Sequence, residues 1–354
     1  MISFQKRGKR TDESPLRNRA QVAIRSRLTL TIAAFGVMTL VICLLAPVIG
    51  TTKISLIRAF DRSIPFAENI DAQIFFVARL PRVIAGAIVG AALAAAGVVL
   101  QALLRNPLAT PFTLGVSAGA SLGAILAITF GATFTIGFFS PIPIASFAGS
   151  LVAVVIIYFL ANRPGRTIST SVLLLAGVTL NAFLSALILF VQYMANFTEA
   201  YRAVRWLMGD LDTGGYAPVI GALPFLLMAF AIFAFLPSSL NLLGVGNDTA
   251  TSRGVNVGRV QRLAFLSSSL ATSAAVSLAG PIGFIGIVVP HLVRLLVGVD
   301  HRIVLPVSVL FGASFLVSCD TVARTIMAPI EIPVGIVTAL IGGPFFLWLL
   351  VKKL

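Results

Sequence analysis

The chain has 354 residues, of which 58% are hydrophobic and only 11% are charged. Soluble domains carry about 25% charged residues, so this composition excludes a soluble globular protein and indicates one that crosses a membrane several times. Lysine and arginine outnumber aspartate and glutamate by 26 to 12, which gives a net charge of +14. The two cysteines, Cys43 and Cys319, lie in apolar runs, so a disulfide framework and a thiolate metal site are excluded.

Uncharged apolar runs of about 20 residues predict membrane-spanning helices. The first run, Leu28–Gly50, follows a basic N-terminal tail, residues 1–27, and predicts an uncleaved anchor. We predict an all-α fold with ten spans in one membrane domain, residues 28–354. Two of the remaining runs are long enough for two spans each: 105–163, with a break at Phe139–Pro143, and Leu263–Val293. The other five spans are one each in Val83–Leu104, Thr167–Thr198, Thr213–Asn247, Ile303–Cys319 and Ile332–Val351.

The distribution of charge favours ten spans over nine. The run Gly280–Gly286 interrupts the apolar stretch Leu263–Val293, so this stretch is predicted to form one full span followed by a short span. If the short span does not form, the total is nine. With ten spans and a cytoplasmic N-terminus, the inner segments hold 18 Lys and Arg and four acidic residues, whereas the outer segments hold eight of each. Both termini are therefore predicted to be cytoplasmic, because nine spans would place Lys352 and Lys353 outside.

Small residues recur at intervals of three or four in two of these spans. One stripe is Gly86, Gly90, Ala94 and Gly97, and the other is Gly115, Gly119 and Gly123. Such stripes let helices approach closely, so both are predicted to be packing faces.

The spans lack the residues that several functions would need. No carboxylate lies deep in a span, which disfavours an ion-coupled secondary transporter. Asp320 and Arg324 are four residues apart and predict an ion pair on one helix face, with a relay as the alternative. The motif at Gly115–Gly119 matches G-x-S-x-G, but neither His291 nor His301 is placed to serve it, so we expect no catalysis and no metal or other cofactor. The sequence also lacks a P-loop, so an active transporter would draw its energy from another subunit.

Three stretches carry a resemblance to a known family. They are RLPRVIAGAIVGAALAAAGVVLQALLRNPLATPFTLGVSAGASLG from Arg79, ISTSVLLLAGV from Ile168, and AGPIGFIGIVVPHLVRLLVGVDHR from Ala279 together with IEIPVGIVTALIGGPFFLWLL from Ile330. They resemble the FecCD-type permeases of type II ABC importers, which take up iron–siderophore, haem and cobalamin. The resemblance runs from about Arg79 to the C-terminus.

The resemblance implies the fold, the partners and the cargo. The fold has ten helices, with spans 2–5 and 7–10 forming an inverted repeat. The partners are a second permease subunit (a second copy or a paralogue), two cytoplasmic ATPase subunits, a periplasmic binding protein and membrane lipid, but no nucleic acid. The chain itself would be no enzyme and would lie in the bacterial inner membrane. The cargo would be an iron(III)–siderophore, with haem or cobalamin as the alternative.

At the outer face, the resemblance implies that the binding protein docks on Arg79, Arg82 and Arg324. Guanidinium groups can each hold a carboxylate through two hydrogen bonds, so acidic residues of a partner would fit there. The alternative is that these arginines anchor lipid headgroups. In the outer segment from Tyr201 to Asp212, aromatic residues beside arginines favour an interfacial belt, whereas the resemblance implies a short gating helix there.

At the inner face, the resemblance implies a cytoplasmic gate and an ATPase-coupling loop. The gate would be Asn106, Leu108, Thr170 and Ser171, in two short uncharged turns whose polar residues could instead cap the following helices. The coupling loop would be about 238–261. Its predicted contact residues are Asn247, Asp248, Thr249, Ala250, Arg253 and Gly254.

Within that loop, Asn247 or Asp248 can cap a short helix that Gly254 ends. Arg253 stands where the family has an apolar residue. A solvated polar loop is the alternative to ATPase coupling.

Overall fold

All regular secondary structure in the described part of the chain is helical. The computed structural model describes residues 14–131, 140–161 and 169–353. Its helices are α1 (Ser14–Leu45), α2 (Leu56–Ala59), α3 (Ile70–Gln73), a π-helical segment (Ile74–Arg79), α4 (Leu80–Leu104), α5 (Val116–Thr129), α6 (Pro141–Ala161), α7 (Thr170–Met194), α8 (Phe197–Leu207), α9 (Ala217–Phe235), α10 (Pro237–Val245), α11 (Asn247–Ser252), α12 (Val257–Ala279), α13 (Ile285–Val297), α14 (His301–Thr325) and α15 (Val334–Lys353). The predicted all-α membrane fold is confirmed.

Seven described helical segments are long and apolar enough to cross a membrane. They are Leu28–Leu45, Ile70–Leu104, α6, α7, α9, α12 and α14. Three shorter apolar segments, in α5, α13 and α15, occupy the positions of the predicted third, eighth and tenth spans. Ten crossings stay a prediction, with a helix at each expected position. Residues 1–13 of the predicted N-terminal tail lie outside the described part.

Three predicted boundaries are wrong. The second span begins at Ile70 rather than Val83, because α3, the π-helical segment and α4 are continuous. The stretch Thr213–Asn247, predicted to hold the sixth span, divides at Pro237 into α9 and α10. The connection after α4 is not a four-residue turn at Asn106, since α5 begins only at Val116.

The direction of α4 defines two ends of the bundle. Arg82 lies in its first turn, and this side is called the arginine end. Arg105 follows its last residue and donates a hydrogen bond to Asn247 of α11, so the opposite side is called the α11 end. The names say nothing about which side of a membrane each end faces.

Helix α4 is the buried centre of the bundle and packs against α12, α13 and α14. Its small-residue stripe makes these contacts close. A methyl group added at Gly90 would overlap the carbonyl oxygen of Gly312 in α14, and one added at Gly97 would overlap that of Gly286 in α13. The predicted packing role of the stripe is confirmed. The second stripe acts in the same way, because Gly119 meets Gly149 of α6.

The groups α4–α7 and α12–α15 show matching contacts. Within the first group α5 packs against α6 and α7, and α6 against α7; within the second, α13 packs against α14 and α15, and α14 against α15. Between the groups, α4 contacts α13 and α14, whereas α12 contacts α5 and α6. This pairing agrees with the predicted repeat that relates spans 2–5 to spans 7–10.

Both groups contain a short helix that begins inside the bundle. The chain returns from the α11 end before α5 begins, and from the arginine end before α13 begins. The residue before each short helix has a positive φ, +72° at Gly115 and +67° at Phe284. A cavity of about 220 Å³ lies between the two entering segments and is lined by Thr110, Phe112, Phe284 and Leu93 of α4. The segments that precede the two short helices therefore lie close together beside α4.

Candidate functional site

The arginine end holds a buried ion cluster centred on Arg82 and Asp320. Nε of Arg82 donates to Oδ1 of Asp320 at 3.0 Å, and its Nη2 lies 2.9 Å from the same oxygen. Its Nη1 donates to Oε2 of Glu331 at 2.7 Å, and Nη2 lies 3.6 Å from Asp210. One guanidinium thus joins α4 to α14, to the segment before α15 and to the segment after α8.

Arg324 shares the carboxylate of Asp320. Its Nε lies 3.0 Å from Oδ2 of Asp320, which confirms the ion pair predicted from their spacing. Its Nη2 also donates to the carbonyl oxygen of Ala46, just after α1. Two arginines and one fully buried aspartate therefore form a triad whose net positive charge is offset by Glu331 and Asp210 at its edge.

Arg79 ties down the segment that follows α1. Its guanidinium donates to the carbonyl oxygens of Pro47 and Val48, both at 3.1 Å, and to that of Thr52. These carbonyls lie past the end of α1 and have no helical partner of their own, so Arg79 satisfies them. The structure thus gives Arg79 a different set of partners from Arg82.

All three predicted docking arginines are buried. Arg79, Arg82 and Arg324 are 6%, 7% and 3% exposed, and each contacts acceptors of its own chain. The side chain of Glu331 is 43% exposed, and that of Asp210 is 25% exposed. An external group would therefore meet the cluster first at Glu331. Docking on these arginines stays a prediction.

At the α11 end, the predicted gate residues lie in two helix-terminal segments. Oδ1 of Asn106 accepts from the backbone N–H of Leu108 at 2.9 Å, so Asn106 stabilises its own turn rather than capping α5, contrary to the capping alternative. Ser169 does cap α7, through Val172 N–H, and places Thr170 and Ser171 in the first helical turn. Leu108 is 41% exposed. The gate role of these residues stays a prediction.

The predicted coupling loop contains the expected short helix, α11. Its preceding residue is Gly246, and no side chain caps it, so the proposed cap by Asn247 or Asp248 is wrong. Asn247 instead accepts the hydrogen bond from Arg105. Gly254, with φ of +82°, follows the C-cap residue Arg253 and lies just beyond the helix end, as predicted.

The face of α11 is divided between packing and solvent. Ala250 is fully buried, whereas Asp248 and Arg253 are exposed. Thr249 is half-buried, and its carbonyl accepts from Ser252. The exposed residues are the ones free to meet another subunit, but ATPase coupling stays a prediction.

Polar contacts that the sequence did not reveal join α10 to the start of α14. Asn241 donates to Oδ1 of Asp300 at 2.6 Å, and its own oxygen accepts from the backbone N–H of His301 at 2.9 Å. Asp300 also caps α14 through Arg302 N–H. Partial burial alone would raise the pKa of Asp300, but hydrogen bonds from Arg302 and Asn241 and the charge of Arg302 together hold the pKa below its usual value.

A second polar contact joins α4 to α13. Gln101 donates to the carbonyl oxygen of Gly286 at 2.9 Å and accepts from Arg294 at 2.5 Å. The only sequence signal was a lone amide in an otherwise apolar span. Together with Arg105–Asn247, these contacts link the α11 region to the central helix.

No group of three or more His, Cys, Asp or Glu side chains in the described ranges is arranged to hold a metal ion. The described site therefore consists of a buried ion cluster at the arginine end, polar contacts between helices at the α11 end, and the two short helices α5 and α13 between them. None of these has the geometry of a nucleophile with its base.

Comparison with known proteins gives consistent matches. The chain is 46% identical over 206 residues to the cobalamin import system permease protein BtuC of Halobacterium salinarum, covering 58% of this chain and 55% of that protein. It is 39% identical over 207 residues to the Fe(3+)-citrate import system permease protein YfmD of Bacillus subtilis, covering 58% and 61%. The aligned part thus spans a little over half the length of these relatives.

A solved structure described as an inward-facing conformation of a metal-chelate type ABC transporter matches 91% of this chain and 99% of that one, with a TM-score of 0.79 and 31% identity. The family model of the FecCD transport family matches residues 38–352. The matched region contains α4 to α14, all of α15 but its last residue, and the ion cluster, and it includes the two short helices α5 and α13. The chain therefore belongs to the FecCD transport family.

Proposed function

We propose that the chain is the membrane permease subunit of an ABC importer in the bacterial inner membrane, without catalytic activity of its own. The observation that carries this proposal is the match of 91% of the fold to a metal-chelate type ABC transporter. ATP would be hydrolysed on two cytoplasmic partner subunits, and cargo would be delivered by a periplasmic binding protein. A second permease subunit would complete the pathway.

Co-purification tests the assembly. The full chain with a C-terminal affinity tag should retain a P-loop ATPase in equal amount, and purified complexes should hydrolyse ATP faster when the binding protein is added. Cargo uptake that continued after loss of the ATPase would contradict the proposal and would favour an ion-coupled carrier.

We propose an iron(III)–siderophore as the cargo. The similarity to an Fe(3+)-citrate permease supports an iron chelate. The higher identity to a cobalamin permease supports a specific alternative, cobalamin, and both are metal chelates. Uptake of labelled ferric siderophore and of labelled cobalamin into the same cells separates the two, because only the true cargo should lose uptake when the gene is deleted.

The gate proposal concerns Asn106, Leu108, Thr170 and Ser171. None of the four side chains is charged, so none of them offers a passing chelate an ion pair that would retain it. A double Thr170→Leu, Ser171→Leu variant should lower uptake several-fold while leaving assembly intact. Thr179→Leu, at an exposed position farther along α7 and outside the gate, is the matched control. Equal uptake by both variants would contradict the gate.

The docking proposal is shaped by the burial of the three arginines. A carboxylate of the binding protein would reach Arg82 by replacing Glu331, the most exposed of its acceptors. Glu331→Gln should therefore raise the affinity for the binding protein, and Glu68→Gln, an exposed acid elsewhere before α4, should not. Unchanged affinity after Arg82→Glu in a correctly assembled complex would contradict docking at this cluster.

The coupling proposal places Asp248, Arg253 and their neighbours against the ATPase. Because Ala250 packs inward, the exposed residues of α11 can change without disturbing the bundle. Arg253→Glu should lower transport-coupled ATPase activity but leave the basal rate unchanged. Arg302→Glu, exposed in the first turn of α14 and outside the coupling loop, provides the comparison. Equal coupling in both variants would favour a solvated loop.

A further inference from the structure

A cleft between α6 and α9 opens at the arginine end. It has a volume of about 350 Å³ and is floored by Ser277 and Leu278 of α12. Phe147 and Phe225 meet across it, with ring centroids 4.5 Å apart. Its lining along α6 reaches from the residue before the helix to Leu151, a rise of about 16 Å, which is about half the thickness of a bilayer's hydrocarbon core.

The mouth of this cleft is polar and carries both signs of charge. An adjoining cavity of about 210 Å³ shares Pro143 and Pro218 with the cleft and is lined by Trp206, Asp210 and Asp212. Arg205, whose side chain is 62% exposed, lies 3.7 Å from Asp210. The carboxylate of Asp212 is exposed and accepts only a local backbone hydrogen bond, from Gly214, among those that the structure records for it.

The change from a polar mouth to an apolar wall indicates which kind of molecule the cleft can bind. The cleft wall is almost entirely apolar, so a polar metal chelate would lose its hydration there without gaining partners. An acyl chain fits the wall, and a tryptophan at the mouth is typical of the membrane–water interface. A headgroup at that level would meet a guanidinium that can bind phosphate and a carboxylate that can bind an ammonium group.

We propose that the cleft binds one phospholipid with an ammonium headgroup. An acyl chain lies between α6 and α9, the phosphate meets Arg205, and the ammonium group meets Asp212. A phospholipid without a cation in its headgroup gains the first polar contact but not the second. The site is independent of the cargo, so it stands whether the importer carries iron or cobalamin.

Native mass spectrometry of the full chain tests the site. The purified protein is titrated with phosphatidylethanolamine and with phosphatidylglycerol of identical acyl chains. The wild type should retain one phosphatidylethanolamine and bind it about two- to five-fold more tightly than phosphatidylglycerol, the range expected for one exposed ion pair. Asp212→Asn should remove this preference. Ala148→Phe, which fills the cleft, should weaken the binding of both lipids several-fold.

Matched variants distinguish the cleft from the general lipid-facing surface. Ala231→Phe places the same ring on an exposed position of α9 outside the cleft, and Glu68→Gln neutralises an exposed acid away from the mouth. Both should bind lipid like the wild type. Equal binding of the two lipids by the wild type, or equal losses in the Ala148 and Ala231 variants, would overturn the proposal.

Cross-linking in the wild type removes dependence on any variant. A phosphatidylethanolamine with a photoreactive acyl chain should label peptides of α6 and α9. Labelling spread evenly over α1 and α14, or a cross-link through the cleft to a second permease copy, would overturn the assignment.

Discussion

The groups α4–α7 and α12–α15 share one arrangement of helices but are held in different ways. In α12–α15, helix α14 is largely buried because both α4 and α1 pack on it, and its end carries Asp320 and Arg324. In α4–α7, helices α6 and α7 contain no charged residue, and most of their residues are partly or fully exposed. The same topology thus yields one half whose α14 is fixed by buried ions, together with Arg82 of the central helix α4, and one half whose α6 and α7 offer apolar surface to lipid or to another subunit.

The two short helices differ in the residue that introduces them. Before α5 the positive φ belongs to Gly115, which adopts it without strain. Before α13 it belongs to Phe284, for which this conformation is costly, and the phenyl ring packs against Gly342 of α15. The second half therefore holds its interruption by side-chain packing, whereas the first does so by backbone freedom.

Removing the buried carboxylate should have the largest effect on this contrast. Asp320→Asn leaves Arg82 and Arg324 together without their shared counterion, and breaking a buried ion pair in this way costs about 3–5 kcal/mol. We expect a correspondingly large fall in the free energy of unfolding, measured in mixed detergent micelles.

The exposed member of the same cluster provides the control. Glu331→Gln removes an ion pair whose acidic side chain is 43% exposed, so the loss should stay below about 1 kcal/mol. If the two substitutions cost the same, burial of the cluster does not determine its contribution, and the contrast between the halves fails.

How far the sequence predicted this cluster depends on distance along the chain. The pairing of Asp320 with Arg324 followed from a spacing of four residues on one helix. The participation of Arg82 did not, because it lies 238 residues away and only packing of α4 on α14 brings the two together. Glu331 gave no signal at all, since a lone acid in a connecting segment has no periodicity.

The span boundaries show the same limit. Treating charge as a stop signal placed the start of the second span after Arg79 and Arg82. Both arginines are accommodated within the continuous helix because carbonyl and carboxylate groups of other elements satisfy them. The short eighth span was predicted because Gly280–Gly286 is rich in glycine. The third span was also predicted, but its similar shortness was not, although Pro107 and Pro111 precede it.

Close packing of the central helix should give the next largest effect. Gly90→Ala forces its methyl group against the backbone of Gly312, which cannot move aside as a flexible side chain could. Overpacking typically costs about 1–3 kcal/mol, and we expect a loss in that range. Gly36→Ala in α1, where nothing lies within 4 Å of the added group, should be neutral or stabilising. Equal losses at both sites would show that α4 and α14 can separate freely.

Substitutions at Phe284 and Gly115 separate backbone strain from packing. Phe284→Gly and Phe284→Ala both lose the ring that packs against Gly342, but only glycine relieves the positive φ. The glycine variant should therefore be more stable than the alanine variant by about 1–2 kcal/mol. Gly115→Ala should lose a similar amount, because its neighbours leave room for a methyl group at 3.5 Å. Alanine equalling glycine at Phe284 would mean that φ there relaxes once the ring is removed.

The smallest effect concerns the hydrogen bonds of Asp300 with Asn241 and Arg302, which hold the start of α14 at the α11 end. Helix α6 has no counterpart of these bonds among its described contacts. Because the pKa of Asp300 is lowered in the folded state, its contribution to stability is full above the ordinary aspartate pKa of about 3.9 and is lost as the pH falls below it. Asp300→Asn keeps a capping side chain but cannot titrate. Its unfolding midpoint should therefore fall less steeply than that of the wild type between about pH 4 and pH 3, and identical acid profiles would show that Asn241 and Arg302 contribute nothing through this carboxylate.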